Sequence, residues 1–191
     1  MAAPASAAVF IDNFEGYTVA LNQGNFQGNW MVAGGTVDLV GPGLFAELCN
    51  AGSKCVDLDG SSANAGVFTS SAFELIAGET YTATYDLAAN RRVGADDVLT
   101  VEFGTASAVY TLASTSASDP FATYSLSFTP VTTGAYSLSF STAGGDNVGP
   151  LLDNVLVSAA IPEPATWAMM IMGFGGAGTL IRRRRRLLAT A

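Results

Sequence analysis

Apolar residues recur at every second position through most of this chain. Pleated strands can bury that period on one face, and helices cannot. In segment 80–87, Tyr81, Ala83, Tyr85 and Leu87 fall on one side, with threonines and Asp86 between them. Leu99, Val101 and Phe103 repeat the pattern, and Val109, Thr111 and Ala113 follow it more weakly. Residues 9–14 predict the first strand and 151–158 the last. The string Tyr-Ser-Leu-Ser-Phe occurs at both 124–128 and 136–140. The linker between the copies carries Pro130 and Gly134, so the two are expected to pair as a hairpin. Short strands parted by Gly, Asn and Asp turns, without a convincing soluble helix, predict an all-β sandwich over 9–159.

Charge narrows what this body can do. Five of the eight basic residues lie in one run, Arg182, Arg183, Arg184, Arg185 and Arg186, and every acidic residue except Glu163 precedes residue 160. The body therefore carries Lys54, Arg91 and Arg92 against fifteen acids, a net charge of −12. Such a surface repels nucleic acid and anionic lipid, and suits neutral glycans or divalent cations. The absence of histidine excludes Ser-His-Asp and Cys-His catalysis. Two-carboxylate glycoside hydrolysis needs no histidine, but no acidic pair can be assigned to a cleft.

The ends of the body point to export. Residues 1–8 read as the remnant of a signal-peptide cleavage region, through the small residues Ala5, Ser6 and Ala7. Cys49 and Cys55, in a Gly- and Ser-containing loop, are expected to form a local disulfide in an oxidising compartment. Two thiols are too few for a metal site.

The last thirty residues are of a different kind. A linker over 160–166 holds Pro162, Glu163 and Pro164; an apolar segment over 167–181 follows; an arginine-rich tail over 182–191 closes the chain. The apolar run, about 17 residues from Ala165, makes a helix of ~25 Å, near the lower limit for crossing a bilayer. Trp167 suits one interface, and the arginines are expected on the cytoplasmic side. The segment is thus predicted to be a single C-terminal transmembrane helix. Gly173, Gly175 and Gly178 spell a dinucleotide fingerprint, but no strand precedes them, and small residues in an apolar helix allow close helix packing instead. Read in order, Pro-Glu-Pro, Trp167, the Gly-rich apolar segment and the arginine cluster resemble the PEP-CTERM sorting signal. The resemblance implies an exported protein of a Gram-negative bacterium. An exosortase-type enzyme would grip Pro162, Glu163, Pro164 and Trp167, and the protein would pass from transient inner-membrane anchorage to the cell surface or extracellular matrix. The alternative is an ordinary anchor that is never cut.

The body carries a second resemblance. Asn13-Phe14-Glu15, then 77–82 (Ala-Gly-Glu-Thr-Tyr-Thr), then 152–157 (Leu-Asp-Asn-Val-Leu-Val) occur in the order found in galactose-binding-like jelly rolls, which include carbohydrate-binding modules. The resemblance implies a structural calcium on Glu15 and Asp153, tying the first strand to the last. Alternation places Asp153 on a face with Leu151, Val155 and Val157, where a carboxylate needs a partner. The acidic stretches at 57–61, 96–97 and 144–147 read as turns, since the first lacks the glutamate of an EF-hand. For sugar binding the candidate is Trp30, the only tryptophan of the body, at the end of an Asn- and Gln-rich loop that supplies Gln27 and Asn29. The alternative is that Trp30 fills the core; Tyr17 and Phe45 are weaker candidates of the same kind. These readings converge on an exported surface or matrix protein with affinity for exopolysaccharide. A ligand-free structural protein and a glycan-active enzyme are the alternatives.

Overall fold

A computed structural model of the chain describes residues 6–26, 28–92, 96–160 and Ile171, Met172 and Phe174. Gln27, Pro162, Glu163, Pro164, Trp167 and the arginines 182–186 lie outside the described residues. Of the predicted transmembrane segment, Ile171, Met172 and Phe174 are described, and they are helical and exposed. Among the described residues no helix is long and apolar enough to cross a membrane.

Alternation becomes strands. In chain order these are β1 (Ser6–Asp12), β2 (Ala20–Gln23), β3 (Trp30–Ala33), β4 (Val37–Val40), β5 (Cys55–Asp57), β6 (Val67–Ser70) and β7 (Phe73–Leu75). Then come β8 (Tyr81–Ala88), β9 (Asp97–Phe103), β10 (Ala106–Leu112), β11 (Ala122–Phe128), β12 (Gly134–Tyr136), β13 (Leu138–Thr142) and β14 (Leu151–Ala160). A seven-stranded sheet runs β11-β8-β14-β5-β4-β2, with β1 also paired to β14. A five-stranded sheet runs β10-β9-β13-β6-β3, and β12 with β7 forms a small ribbon. The body, residues 8–159, is one compact unit.

The two large sheets bury their inner faces against each other. Tyr81, Ala83, Tyr85 and Leu87 of β8, and Leu99, Val101 and Phe103 of β9, point inward as their spacing requires. In β10 the inward face is instead Ala106, Tyr110 and Leu112, so Val109 stands out at 65% exposure and corrects the weaker of the alternation readings. The phenol of Tyr110 sets this parity by meeting Tyr85 Oη at 2.8 Å.

The expected hairpin does not form. Residues 124–128 lie in β11 and pair with β8, whereas 138–140 lie in β13 and pair with β6 and β9 of the other sheet. Both copies offer the same inward apolar face, and a sandwich has two sheets that can take it. The second surprise is in β14. Its register shifts between Asp153 and Leu156, and Asn154 takes a left-handed φ of 49°. Such a bulge reverses which face later residues take. Leu152, Val155 and Val157 therefore share the core, and Asp153 turns to the outer face beside Asp86 instead of joining Val155 and Val157.

Cys49 and Cys55 are joined in a disulfide with Cα atoms 5.6 Å apart. It closes a six-residue step under a second small apolar cluster with Val40, Leu48, Ala88 and Leu151. Arg91 locks the same loop by donating to the carbonyls of Leu48 (3.1 Å) and Cys49 (2.9 Å).

Candidate functional site

Trp30 is not a sugar platform. It is 2% exposed, and its indole stacks on Phe68 at 4.3 Å with the planes 6° apart. Phe10 meets it edge-on at 5.4 Å, and Phe14 and Phe140 pack nearby. Its Nε1–H donates to Asp12 Oδ2 at 2.9 Å. With its faces covered and its donor spent, the ring belongs to the core. The Asn/Gln-rich loop does reach the surface at Asn29, which is exposed.

Asp12 is the anchor that fixes the local geometry. Its carboxylate also accepts from Tyr17 Oη at 2.5 Å and from the Phe14 N–H at 2.9 Å. Burial pushes the Tyr17 phenol up to about 12, and the bond to Asp12 adds to the shift, so it stays a neutral donor. The ring of Tyr17 is thereby held half-buried at the surface, beside Asn29.

Two contiguous grooves lie above this anchor. One, of about 350 Å³, is lined by Ile11, Asn13, Gly16, Tyr17 and Asn29. The other, of about 320 Å³, continues from Ile11 and Asn13 across the outer face of the seven-stranded sheet to Thr84, Asp86, Thr123, Asn154 and Leu156. Asp86 of β8 accepts from Thr123 Oγ1 of β11 at 2.6 Å and from Asn154 Nδ2 at 2.9 Å. The bulge in β14 is what swings Asn154 into this position. Exposed Ile11 gives the groove an apolar floor among amides, hydroxyls and a carboxylate. Of this set the sequence pointed only to Tyr17 and Asn29. Asp86, Thr123 and Asn154 come from strands far apart in the chain and look like ordinary outward polar positions.

Glu15 and Asp153, the expected calcium pair, do come within electrostatic reach of each other. Asp153 is 3% exposed and its carboxyl is raised to about 6, first by burial and then by the charges of Glu15 and Asp86, against the pull of the Asn154 N–H. Glu15 Oε1 accepts from the Lys54 N–H at 2.8 Å and Asp153 Oδ1 from the Asn154 N–H at 2.7 Å. Two carboxylates that repel each other, each with one oxygen spent on an N–H, are a donor set that fits a hard cation. Part of the neutralising charge near Glu15 comes from Lys54, whose ammonium is held by the carbonyls of Glu15 (2.8 Å) and Tyr17 (2.6 Å). Among the described residues no three acidic or cysteine side chains converge at metal-binding distance, so backbone oxygens and water would have to complete such a shell.

At another edge of the body, Asp57 and Asp59 are fully buried. Asp57 Oδ1 accepts from the N–H of Asp59 at 3.1 Å, the expected Asx-turn, and from that of Gly149 at 3.0 Å. Its other oxygen pairs with Arg92 at 2.6 Å. Phe45, 44% exposed, lies under the same guanidinium at 5.6 Å and is thus occupied as well.

The body is thus a β-sandwich with a polar groove on the outer face of its seven-stranded sheet. The chain belongs to the family described as "Protein of unknown function (DUF642)", whose model matches residues 12–158. The PEP-CTERM protein-sorting motif matches residues 160–186, which marks the chain as an exosortase-sorted surface protein. No curated protein matches the chain in sequence. Solved structures share the fold at low identity. The K3 cleaved adhesin domain of Lys-gingipain from Porphyromonas gingivalis is 13% identical with a TM-score of 0.55, over 81% of this chain and 99% of that one. The CBM22-1 xylan-binding domain of Paenibacillus barcinonensis Xyn10C is 14% identical with a TM-score of 0.51, over 84% and 99%. The CBM22-1-GH10 modules of a Clostridium thermocellum xylanase, complexed with xylohexaose, are 16% identical with a TM-score of 0.50; the match covers 80% of this chain and 28% of that one.

Proposed function

We propose that this protein binds an extracellular polysaccharide in the groove on the outer face of its seven-stranded sheet. It does so at the cell surface, after a transient stay in the membrane. The observation that carries the reading is the groove itself. Asp86, Thr123 and Asn154 form a fixed hydrogen-bonding row beside Ile11 and Leu156, and Tyr17 and Asn29 extend it. Pyranose rings ask for this mixture: apolar C–H faces against an aliphatic or aromatic floor, and hydroxyls against amides and carboxylates. A body of charge −12 favours a neutral glycan over an acidic one. Among the similar folds, one is a xylan-binding domain, one is an adhesin domain, and one is a CBM22-1-GH10 xylanase fragment complexed with xylohexaose, which supports a carbohydrate as the ligand class. Calcium between Glu15 and Asp153 would brace the segment after the first strand against the last strand.

Affinity electrophoresis of the full chain through gels holding neutral polysaccharides, xylan among them, tests the proposal. Retardation by at least one glycan is expected. It should be lost in Asp86→Ala and weakened in Tyr17→Ala, with folding checked by circular dichroism. No retardation on any glycan, or retardation unchanged in Asp86→Ala, would refute it and leave a purely structural envelope role.

A further inference from the structure

Both sheets end on the same flank of the sandwich, and neither end is guarded. β11 closes the seven-stranded sheet and β10 the five-stranded one, and the rings of Tyr110 and Tyr124 meet across the gap at 4.7 Å. Each strand is seven residues long and pairs with its one neighbour, β9 for β10 and β8 for β11, without a break in register. Among the described residues neither strand makes a main-chain hydrogen bond to any other main-chain group. Their free edges therefore present rows of unpaired N–H and C=O groups. The far ends of the two sheets are built differently. β2 and β3 are four residues each, and β2 loses register between Ala20 and Gln23, where Asn22 takes a left-handed φ of 52°. Short or kinked edges resist pairing, and long regular ones invite it.

Charge singles out the same flank. Between Glu102 and Asp146 the chain carries one charged residue, Asp119, although the body as a whole carries −12. Two copies of so acidic a body repel each other over most of their surface, and least where the strands carry no charge. The usual guards of an exposed edge, a lysine or a proline within the strand, are missing from β10 and β11. The inner face is also incompletely covered here. Tyr124 and Leu126 are only half-buried, and a cleft of about 200 Å³ is lined by residues of both strands, Thr111, Leu112, Ala122 and Tyr124, with Ala88. The repeated string shows what such a segment can accept. β13, which holds Leu138, Ser139 and Phe140, is paired on both sides, to β6 and to β9. β11, which holds the identical run Leu126, Ser127 and Phe128, is paired on one side, to β8.

We propose that β11 pairs antiparallel with β11 of a second copy of this chain, so that two seven-stranded sheets become one. A two-fold axis through Ser125 sets like against like. Tyr124 meets the partner subunit's Leu126 on the inner face, Thr123 meets the partner subunit's Ser127 on the outer one, and Ser125 meets the partner subunit's Ser125. Within the paired strands no charges oppose each other, and apolar and hydroxyl cross-strand pairs are of the favourable kind. The contact is isologous, so it closes at two copies. Thr123 also belongs to the glycan groove, so the pairing puts two grooves on one face of a continuous sheet and offers a long polysaccharide two points of attachment. That consequence rests on the glycan reading; the pairing itself does not.

Cysteine cross-linking and sedimentation of the full chain in detergent test the pairing and its register. The chain's two cysteines are already joined to each other, so an introduced thiol is the only free one. Residues opposite each other in an antiparallel pair have Cα atoms about 4.5–5.5 Å apart, within disulfide range. On mild oxidation Ser125→Cys should give a covalent dimer on a non-reducing gel, whereas Ser107→Cys, exposed on β10, should stay monomeric. Ser125→Lys and Ser125→Glu each set like charges directly opposite each other at an exposed position. Each should sediment as a monomer where the wild type sediments as a dimer, with its circular dichroism unchanged. Mixing the two variants should restore the dimer, which a folding defect could not do. A monomeric wild type, equal cross-linking of Ser125→Cys and Ser107→Cys, a dimer undisturbed in both charged variants, or a mixture that stays monomeric would each overturn the proposal.

Discussion

Replacing Trp30 separates a core residue from a ligand-stacking one by magnitude alone. Trp30→Ala removes an indole packed among Phe10, Phe14, Phe68 and Phe140, which by analogy with large-to-small core changes costs about 3–5 kcal/mol. It also takes the 2.9 Å donor from the half-buried Asp12 carboxylate, a further loss of about 1.5–3 kcal/mol for a bond to a charged group. The sum, about 4.5–8 kcal/mol, rivals the whole stability of an ordinary domain. For a body of this size, each kcal/mol shifts Tm by about 2–4 °C, so the variant should melt at least ~10 °C lower or fail to fold. Trp30→Phe keeps a ring on Phe68 and loses chiefly the N–H donor. It should fall between the two, at about 2–4 kcal/mol. Thermal melts by circular dichroism, run beside the glycan-gel assay, read both properties at once. A Trp30→Ala protein that melts within ~2 °C of wild type, yet no longer binds glycan, would refute the buried placement and restore the ring to the surface.

Three other outcomes follow from the same structure. Replacing both Cys49 and Cys55 by serine removes a short loop closure of about 2 kcal/mol and should lower Tm by about 4–8 °C; an unchanged melt would show that the bridge adds nothing. Asp119 is held down to about 2 by donors from Thr115 and Ser116, so its folded pKa lies below its unfolded one. Its contribution is present above the ordinary carboxylate range and is lost as pH falls through about 2. The stability gap between wild type and Asp119→Asn should therefore be flat above about pH 5 and close towards pH 2, and a gap that widened in acid would contradict the assignment. At the tail, Glu163→Gln or Pro164→Ala should leave the uncut precursor in the membrane fraction, read by the mass of the C-terminus; normal trimming of both would show that the motif is not what the sorting enzyme reads.

What could and could not be read from the sequence divides along a physical line. Strands β8 and β9 were legible because their inward residues sit two apart in an unbroken run, and the pleat converts that spacing directly into a face. The same rule misplaced Asp153 because it counts residues without seeing geometry. One residue in a left-handed conformation, Asn154, reverses the parity of everything beyond it. The Tyr-Ser-Leu-Ser-Phe copies misled for a related reason, since an apolar face does not say which of two sheets it covers. Trp30 was ambiguous because an indole suits a sugar and a core equally well, and only its neighbours decide.

The groove and the sorting signal lie at opposite ends of this scale. A processing enzyme that grips an extended peptide meets Pro162, Glu163 and Pro164 as consecutive residues, so their message is linear and survives in the sequence. Asp86, Thr123 and Asn154 become neighbours only after β8, β11 and β14 have paired, and each alone is an unremarkable outward polar residue. The bulge that hid Asp153 from the alternation argument also delivers Asn154 to Asp86. The strongest sequence-to-structure discrepancy in the body thus coincides with the candidate binding surface. Local rules are expected to break where a fold is bent to make a site, and β14 is bent at the edge of the groove.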